Sequence, residues 1–324
     1  MATAENAKLE YEGGQTIYPM SALTDSGDHQ TYTSAADRWS GRSGYAAVVM
    51  PDGVKTGGMI TPHNDNDKVQ VAALTCNVGG QARSVSAGAV EITRPATDVA
   101  RIISIVVKAD GSLDEVPGTS ASDTTFVETR GAAGGPPLIP VGEIEIGQVR
   151  VTTSAAGKVS ASEIYQVPNV HVERADFPLF AAVPEDGGVK FNTPVPAIHT
   201  GNATKGVYAS FAEPVFTEVA LASDFVPPET SHSVSSTQVY SATIGSSSST
   251  LNQGTFTAYL ENGVSDPLVA LKNEELWFRF YPDRYQPEHI LTQGKLGIAR
   301  TFPAGDQIQA ACTISAKQAA KEVA

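Results

Sequence analysis

Cysteine is nearly absent: the 324 residues hold two, Cys76 and Cys312. Their wide separation, with no export signal ahead of them, predicts two buried thiols in a reducing compartment rather than a disulfide. No window approaches the ~18 consecutive apolar residues of a membrane-spanning helix. Met1–Lys8 lacks the apolar stretch of a signal peptide, so the chain is expected to be made in a cytoplasm and to stay soluble there. Basic charge is also scarce, with 22 Lys and Arg against 35 Asp and Glu and a net charge of −13. Both halves are acidic, which excludes the basic stripe needed to grip nucleic acid. Leucine is the last shortage: 14 Leu stand against 32 Val. Side chains branched at Cβ favour strands, so all-α and doubly wound α/β architectures are excluded in favour of a mainly β chain.

What is present reads as short strands joined by turns. Ala46–Met50 leads to Asp52-Gly53, Lys68–Cys76 to Gly79-Gly80, and the apolar Arg101–Lys108 to Asp110-Gly111. Asp-Gly between such runs signals a hairpin, because both turn residues must tolerate positive φ. In Glu143–Thr152, Ile144 and Ile146 share one parity and Val149 and Val151 the other, which predicts a β-bulge or bend across Gly147-Gln148. Val167-Pro168-Asn169 interrupts the strand pattern. The chain is accordingly divided into an N-terminal β-rich module, 1–165, and a second β-module, 166–324. Both are expected to be β-sandwiches or half-barrels, the second with a short flanking α-helix. No fixed-period repeat supports a propeller or solenoid. Thr230–Gly254, centred on Ser246–Ser249, reads as a flexible stretch.

The C-terminal region is the most regular. Phe256, Ala258 and Leu260 share one face of a strand, and Asp266-Pro267 supplies a cap and a proline at the first helical position for a helix over Pro267–Asn273. Leu276, Phe278 and Phe280 alternate with Glu275, Trp277 and Arg279. Ile308, Ala310, Cys312 and Ile314 alternate with Gln307, Gln309, Ala311, Thr313 and Ser315.

Chemistry is harder to find. His63-Asn-Asp65-Asn-Asp67 fails the calcium-loop spacing, with Gln70 where glycine and Cys76 where glutamate would stand, and reads as a solvated turn. Glu143 and Glu145, with no acidic strand identifiable opposite, read as a solvated strand face. The six histidines are scattered without metal-ligand spacing and read as surface or turn residues. Gly131–Gly135 lacks the Lys-Ser/Thr of a phosphate loop, and the Ser-rich segment lacks a Gly-x-Ser-x-Gly elbow. The expectation is a non-enzyme without catalytic residues, metal or cofactor, whose product is its own surface. Candidate inter-subunit contacts are Trp277, Gln307, Gln309, Thr313, Ser246 and Ser248. For Trp277, lying on the charged parity, two readings stay open: an interface anchor, or a side chain covering a loop of its own chain.

The run Gly254–Glu261, the short helix, Leu276–Asp283, Gly294–Arg300 and Asp306–Ser315, with Tyr208–Phe216 upstream, resembles the major tail tube proteins of long-tailed bacteriophages (siphophages) over roughly 176–316. The resemblance implies a β-sandwich or half-open barrel flanked by one helix, homo-hexameric rings stacked into a tube in the virion tail, and tape-measure, baseplate or initiator, and terminator proteins as partners. It also implies DNA passing through the lumen without specific binding, and no catalytic residues. A net acidic wall fits such a conduit, since basic contacts to phosphate add affinity. Residues 50–150 are similar instead to small β-modules of phage fibre and baseplate proteins, and would decorate the tube or contribute to its wall. The alternative is a tail-fibre or baseplate β-protein that binds a host cell-surface glycan.

Overall fold

The computed structural model describes residues 4–324. Half of the described residues lie in strands, arranged in several sheets, with one short α-helix among them. Among the described residues no helix is long and apolar enough to cross a membrane.

The chain forms two compact units, and the division differs from the expected break at 165/166. One unit takes the N-terminal segment to Tyr18, Arg38–Ala46 and Phe211–Ala324; the other takes Pro19–Asp37 and Ala47–Ser210. The reason is a non-local pairing. Lys8, Leu9, Glu10 and Tyr11 stand antiparallel to Tyr281, Phe280, Arg279 and Phe278. Val167-Pro168-Asn169 is therefore no boundary and lies inside the second-named unit.

In the first of these units the strands follow the order Ala222–Val226, Gly254–Leu260, Ile308–Ala316, His289–Thr301, Glu275–Tyr281, then the parts of Lys8–Ala22 and Val207–Glu218 that belong to it. The alternation of Gln307–Ser315 is observed: Ala310, Cys312 and Ile314 are buried, together with Phe256, Leu276, Phe278 and Leu296. The helix is shorter than expected, Pro267–Ala270, but starts as its sequence dictates. Asp266 caps it by accepting from the Leu268 amide at 2.9 Å.

The other unit holds four small sheets. Its main core contains ten Val and six Ile but a single Leu, so much of the valine excess resides here, where branched side chains pack on pleated surfaces. Asp110-Gly111 turns between Arg101–Val107 and Leu113–Pro117, and Gly79-Gly80 turns between Leu74–Val78 and Gln81–Val85 with φ of 60° and 71°. Two expectations fail. Lys68–Cys76 is two strands, Lys68–Val71 and Leu74–Val78, in different sheets. Asp52-Gly53 is no hairpin turn: Gly53, at φ 141°, lets Val54 bridge to Arg174, and a Cβ there would lie 2.4 Å from the Arg174 carbonyl carbon.

The bulge is real and falls one residue earlier than expected. Ile105 pairs with Gly147 but Val106 with Glu145, leaving Ile146 as the inserted residue. The insertion puts Glu145 and Gln148 within one hydrogen bond of each other, at 3.0 Å. Both cysteines are buried and free, one per core, and burial pushes their thiols up to about 11 for Cys76 and about 12 for Cys312.

Candidate functional site

The candidate contact residues separate into two classes. Trp277 is 2% exposed and is corrected as a contact residue: its indole N–H donates to the Trp39 carbonyl at 2.8 Å, so it covers its own chain. The charged parity of its strand is buried at Trp277 and half-buried at Glu275 and Arg279, because residues from the N-terminal segments lie over it. Trp39 stacks on Phe211 at 5.0 Å, Arg279 sits 4.2 Å over Phe216, and fully buried Glu12 accepts from the Trp277 amide and the Ser40 hydroxyl. Glu10 bridges Lys8 and Arg279. Burial pushes its carboxyl up, but the two cations outweigh that and hold it below the usual range.

The other five candidates are at least partly exposed to solvent. Gln307 is exposed, Gln309 and Thr313 are half-buried on one face of Ile308–Ala316, and Ser246 and Ser248 are exposed. Thr230–Gly254 is not an irregular stretch. Thr230–Val239 and Ala242–Leu251 form a two-stranded sheet of their own, in register from Thr230↔Leu251 inward. Ser233–Ser248 and Ser235–Ser246 hydroxyl pairs, each 2.7 Å, line one side. All described side chains from Thr230 to Thr250 are exposed, including Val234 at 80% and Ile244 at 60%. The sequence offered only a Ser- and Thr-rich composition here, and the absence of apolar periodicity hid the strands.

A second cluster lies in the unit containing Ala47–Ser210, and sequence reasoning missed it. Glu145, expected on a solvated face, is 1% exposed. It accepts from Ser104 Oγ and Arg130 Nη2, each at 2.5 Å, and from Gln148. Its backbone amide donates to Glu173 Oε2 at 2.8 Å. His199, expected at the surface, is buried and donates from Nε2 to Glu173 Oε1 at 3.1 Å and from Nδ1 to the Pro140 carbonyl at 3.3 Å. Two acceptors on one ring favour the imidazolium. Burial opposes that charge, but the Glu173 carboxylate overcomes it and raises the pKa. Lys205 Nζ donates to the carbonyls of Arg174 and Phe177 at 2.6 and 2.7 Å, while burial lowers its pKa. Asp52 is pushed up to about 7 by burial, with Glu173 adding to the rise and the Gly79 and Gly80 amides and His199 pulling back. These side chains come from segments far apart in sequence, so no spacing announced them. His171 is buried as well, contrary to expectation.

The His63–Asp67 segment is a turn, in which Asp67 pairs with Arg94 at 2.5 Å. No group of three or more His, Cys, Asp or Glu among the described residues is placed to hold a metal ion. Compared with known proteins, the chain matches no family model, no curated protein and no solved structure.

Proposed function

We propose that this chain is a structural subunit that assembles with copies of itself into stacked rings, forming the tail tube of a long-tailed bacteriophage. The observation that carries the reading is the Ser-rich hairpin. A lone two-stranded ribbon is marginal in water, and this one has both faces exposed, leaving Val234 and Ile244 uncovered by its own chain. Its stabilising partner is then another copy, reached through main-chain edges and hydroxyls that pair without large side chains. Gln307, Gln309 and Thr313 supply a second polar, uncharged surface suited to a repeated contact. The order of elements in the unit holding Phe211–Ala324 supports the same reading. So does the net charge of −13, which suits a conduit that must pass DNA without holding it. In this reading the rings are hexameric and reside in the virion tail. Tape-measure, initiator and terminator proteins meet the two ends, and no residue has a catalytic part.

Negative-stain microscopy of the purified chain tests it. Tubes or end-on rings are expected at high protein concentration, and a variant lacking 230–251 is expected to remain monomeric with its thermal unfolding unchanged. Monomers at every concentration, with or without the hairpin, overturn the reading.

A further inference from the structure

A cleft of about 290 Å³ opens against Glu145 and Glu173 in the unit containing Ala47–Ser210. It is near the lower end of small-ligand pockets, ~300–1,000 Å³. Three carboxylates, Glu128, Glu145 and Glu173, line it against three cations, Arg130, Arg174 and Lys205. Each charge is already answered by the protein. Arg130 meets Glu145 at 2.5 Å, Arg150 meets Glu128 at 2.7 Å, Arg174 meets Asp176 at 2.9 Å and His199 meets Glu173 at 3.1 Å. Lys205 is spent on two backbone carbonyls. Each charged side chain of the lining thus has a partner within the protein, and Lys205, held by carbonyls rather than by a carboxylate, is buried at 6% exposure.

Neutral polar groups of the cleft remain unspent. His171 Nδ1 accepts from the Val167 amide at 3.1 Å, which fixes the ring proton on Nε2, and that N–H has no acceptor among the described residues. The Asn169 side-chain amide, exposed on a residue held at φ 65°, likewise makes no bond to the described residues and offers both a donor and an acceptor. Beside them the cleft presents apolar surface to solvent: Phe177 is 43% exposed and Val170 61%. Neutral donors and acceptors next to an exposed aromatic ring match a ligand with hydroxyls on its edge and C–H groups on its face.

We propose that this cleft binds a neutral carbohydrate of mono- or disaccharide size, its C–H face on Phe177 and its hydroxyls on His171 Nε2 and the Asn169 amide. The site is independent of the assembly reading and adds a recognition function to it.

The test uses the full chain, titrated with glucose, galactose, N-acetylglucosamine and their neutral disaccharides, and with glucuronate and a sulfated oligosaccharide as charged probes. Binding is followed by calorimetry and by ligand-observed NMR. At least one neutral sugar is expected to bind. Phe177→Ala and Asn169→Gly should each weaken it about tenfold or more, an effect of about 1.4 kcal/mol. Both positions are exposed, and glycine accepts the positive φ of residue 169, so unchanged thermal unfolding is expected to accompany the loss. Preference for disaccharides over single sugars supports a glycan source, and equal binding supports a free sugar. Failure of every neutral probe, tighter binding of the charged ones, or affinity unchanged in both variants overturns the proposal. None of these outcomes bears on whether rings form.

Discussion

The indole N–H of Trp277 reaches the backbone carbonyl of Trp39, 238 residues away in sequence, at 2.8 Å. A strand that alternates charged and apolar residues is thus buried on both faces around this contact, with Leu276 and Phe278 beneath and Trp277 above. Trp277→Ala should destabilise the protein by about 3–5 kcal/mol through the cavity it leaves. Trp277→Phe should cost less, mainly the ~1–3 kcal/mol of an orphaned carbonyl. Urea titration of the two variants checks the order.

Ile314 is fully buried and Thr313, next to it, is half-buried on the opposite face. Ile314→Asp should abolish folding by burying an unpaired carboxylate, whereas Thr313→Asp should leave the monomer folded. Equal loss of soluble protein from both would show that the faces have been misassigned.

Asp52 gives the fold an unusual pH dependence. Its carboxyl rises from an ordinary 3.8 to about 7 in the folded state, where it faces Glu173, His199 and the Gly79 and Gly80 amides. The folded state then holds a proton that the unfolded chain has already lost, so stability falls as pH rises from about 4 to 7 and levels off above. His199, whose pKa is raised, acts in the same sense: its contribution is present below its ordinary value and lost as pH rises through the folded one. Groups held low, such as Glu10 and Asp67, lose their contribution only in more acidic solution. Asp52→Asn should therefore flatten the decline between about pH 5 and 8, by on the order of 2 kcal/mol. Unfolding free energies at the two pH values measure it, and an unaltered slope would refute the assignment.

The Ser-rich hairpin should exchange its amides quickly in free subunits, since a two-stranded ribbon with no covering layer is marginal. In assembled material the same amides should be protected. Strong protection of 230–251 already present in the monomer would contradict the role given to it.

Local signals were readable. The alternation of Gln307–Ser315, the Asp266-Pro267 helix start, the Gly79-Gly80 turn and the parity change near Gly147 all act within a few residues, where side-chain period and turn chemistry decide the outcome. Asp52-Gly53 shows where such reasoning ends: the dipeptide has the composition of a turn, yet tertiary contact with Arg174 and Gly206 makes it a buried junction. Glu145 and His199 were misplaced for the same reason. Their burial depends on Ser104, Arg130 and Glu173, which approach from other segments, and a lone sequence carries no record of that approach. The hairpin was missed differently: its strands lack an apolar face, and periodicity of hydrophobic residues was the instrument of detection.

The pairing of Lys8–Tyr11 with Phe278–Tyr281 sets a timetable. A ribosome adding ~5–20 residues per second needs roughly a quarter of a minute to a minute to travel between these two stretches. Throughout that interval the first strand has been made and its partner has not. Nearly all of the Ala47–Ser210 unit emerges in the meantime and can close around its own valines. The large sheet is thus the last part of the molecule to become complete, and a chain truncated before Phe278 would display a finished unit and an unpaired strand.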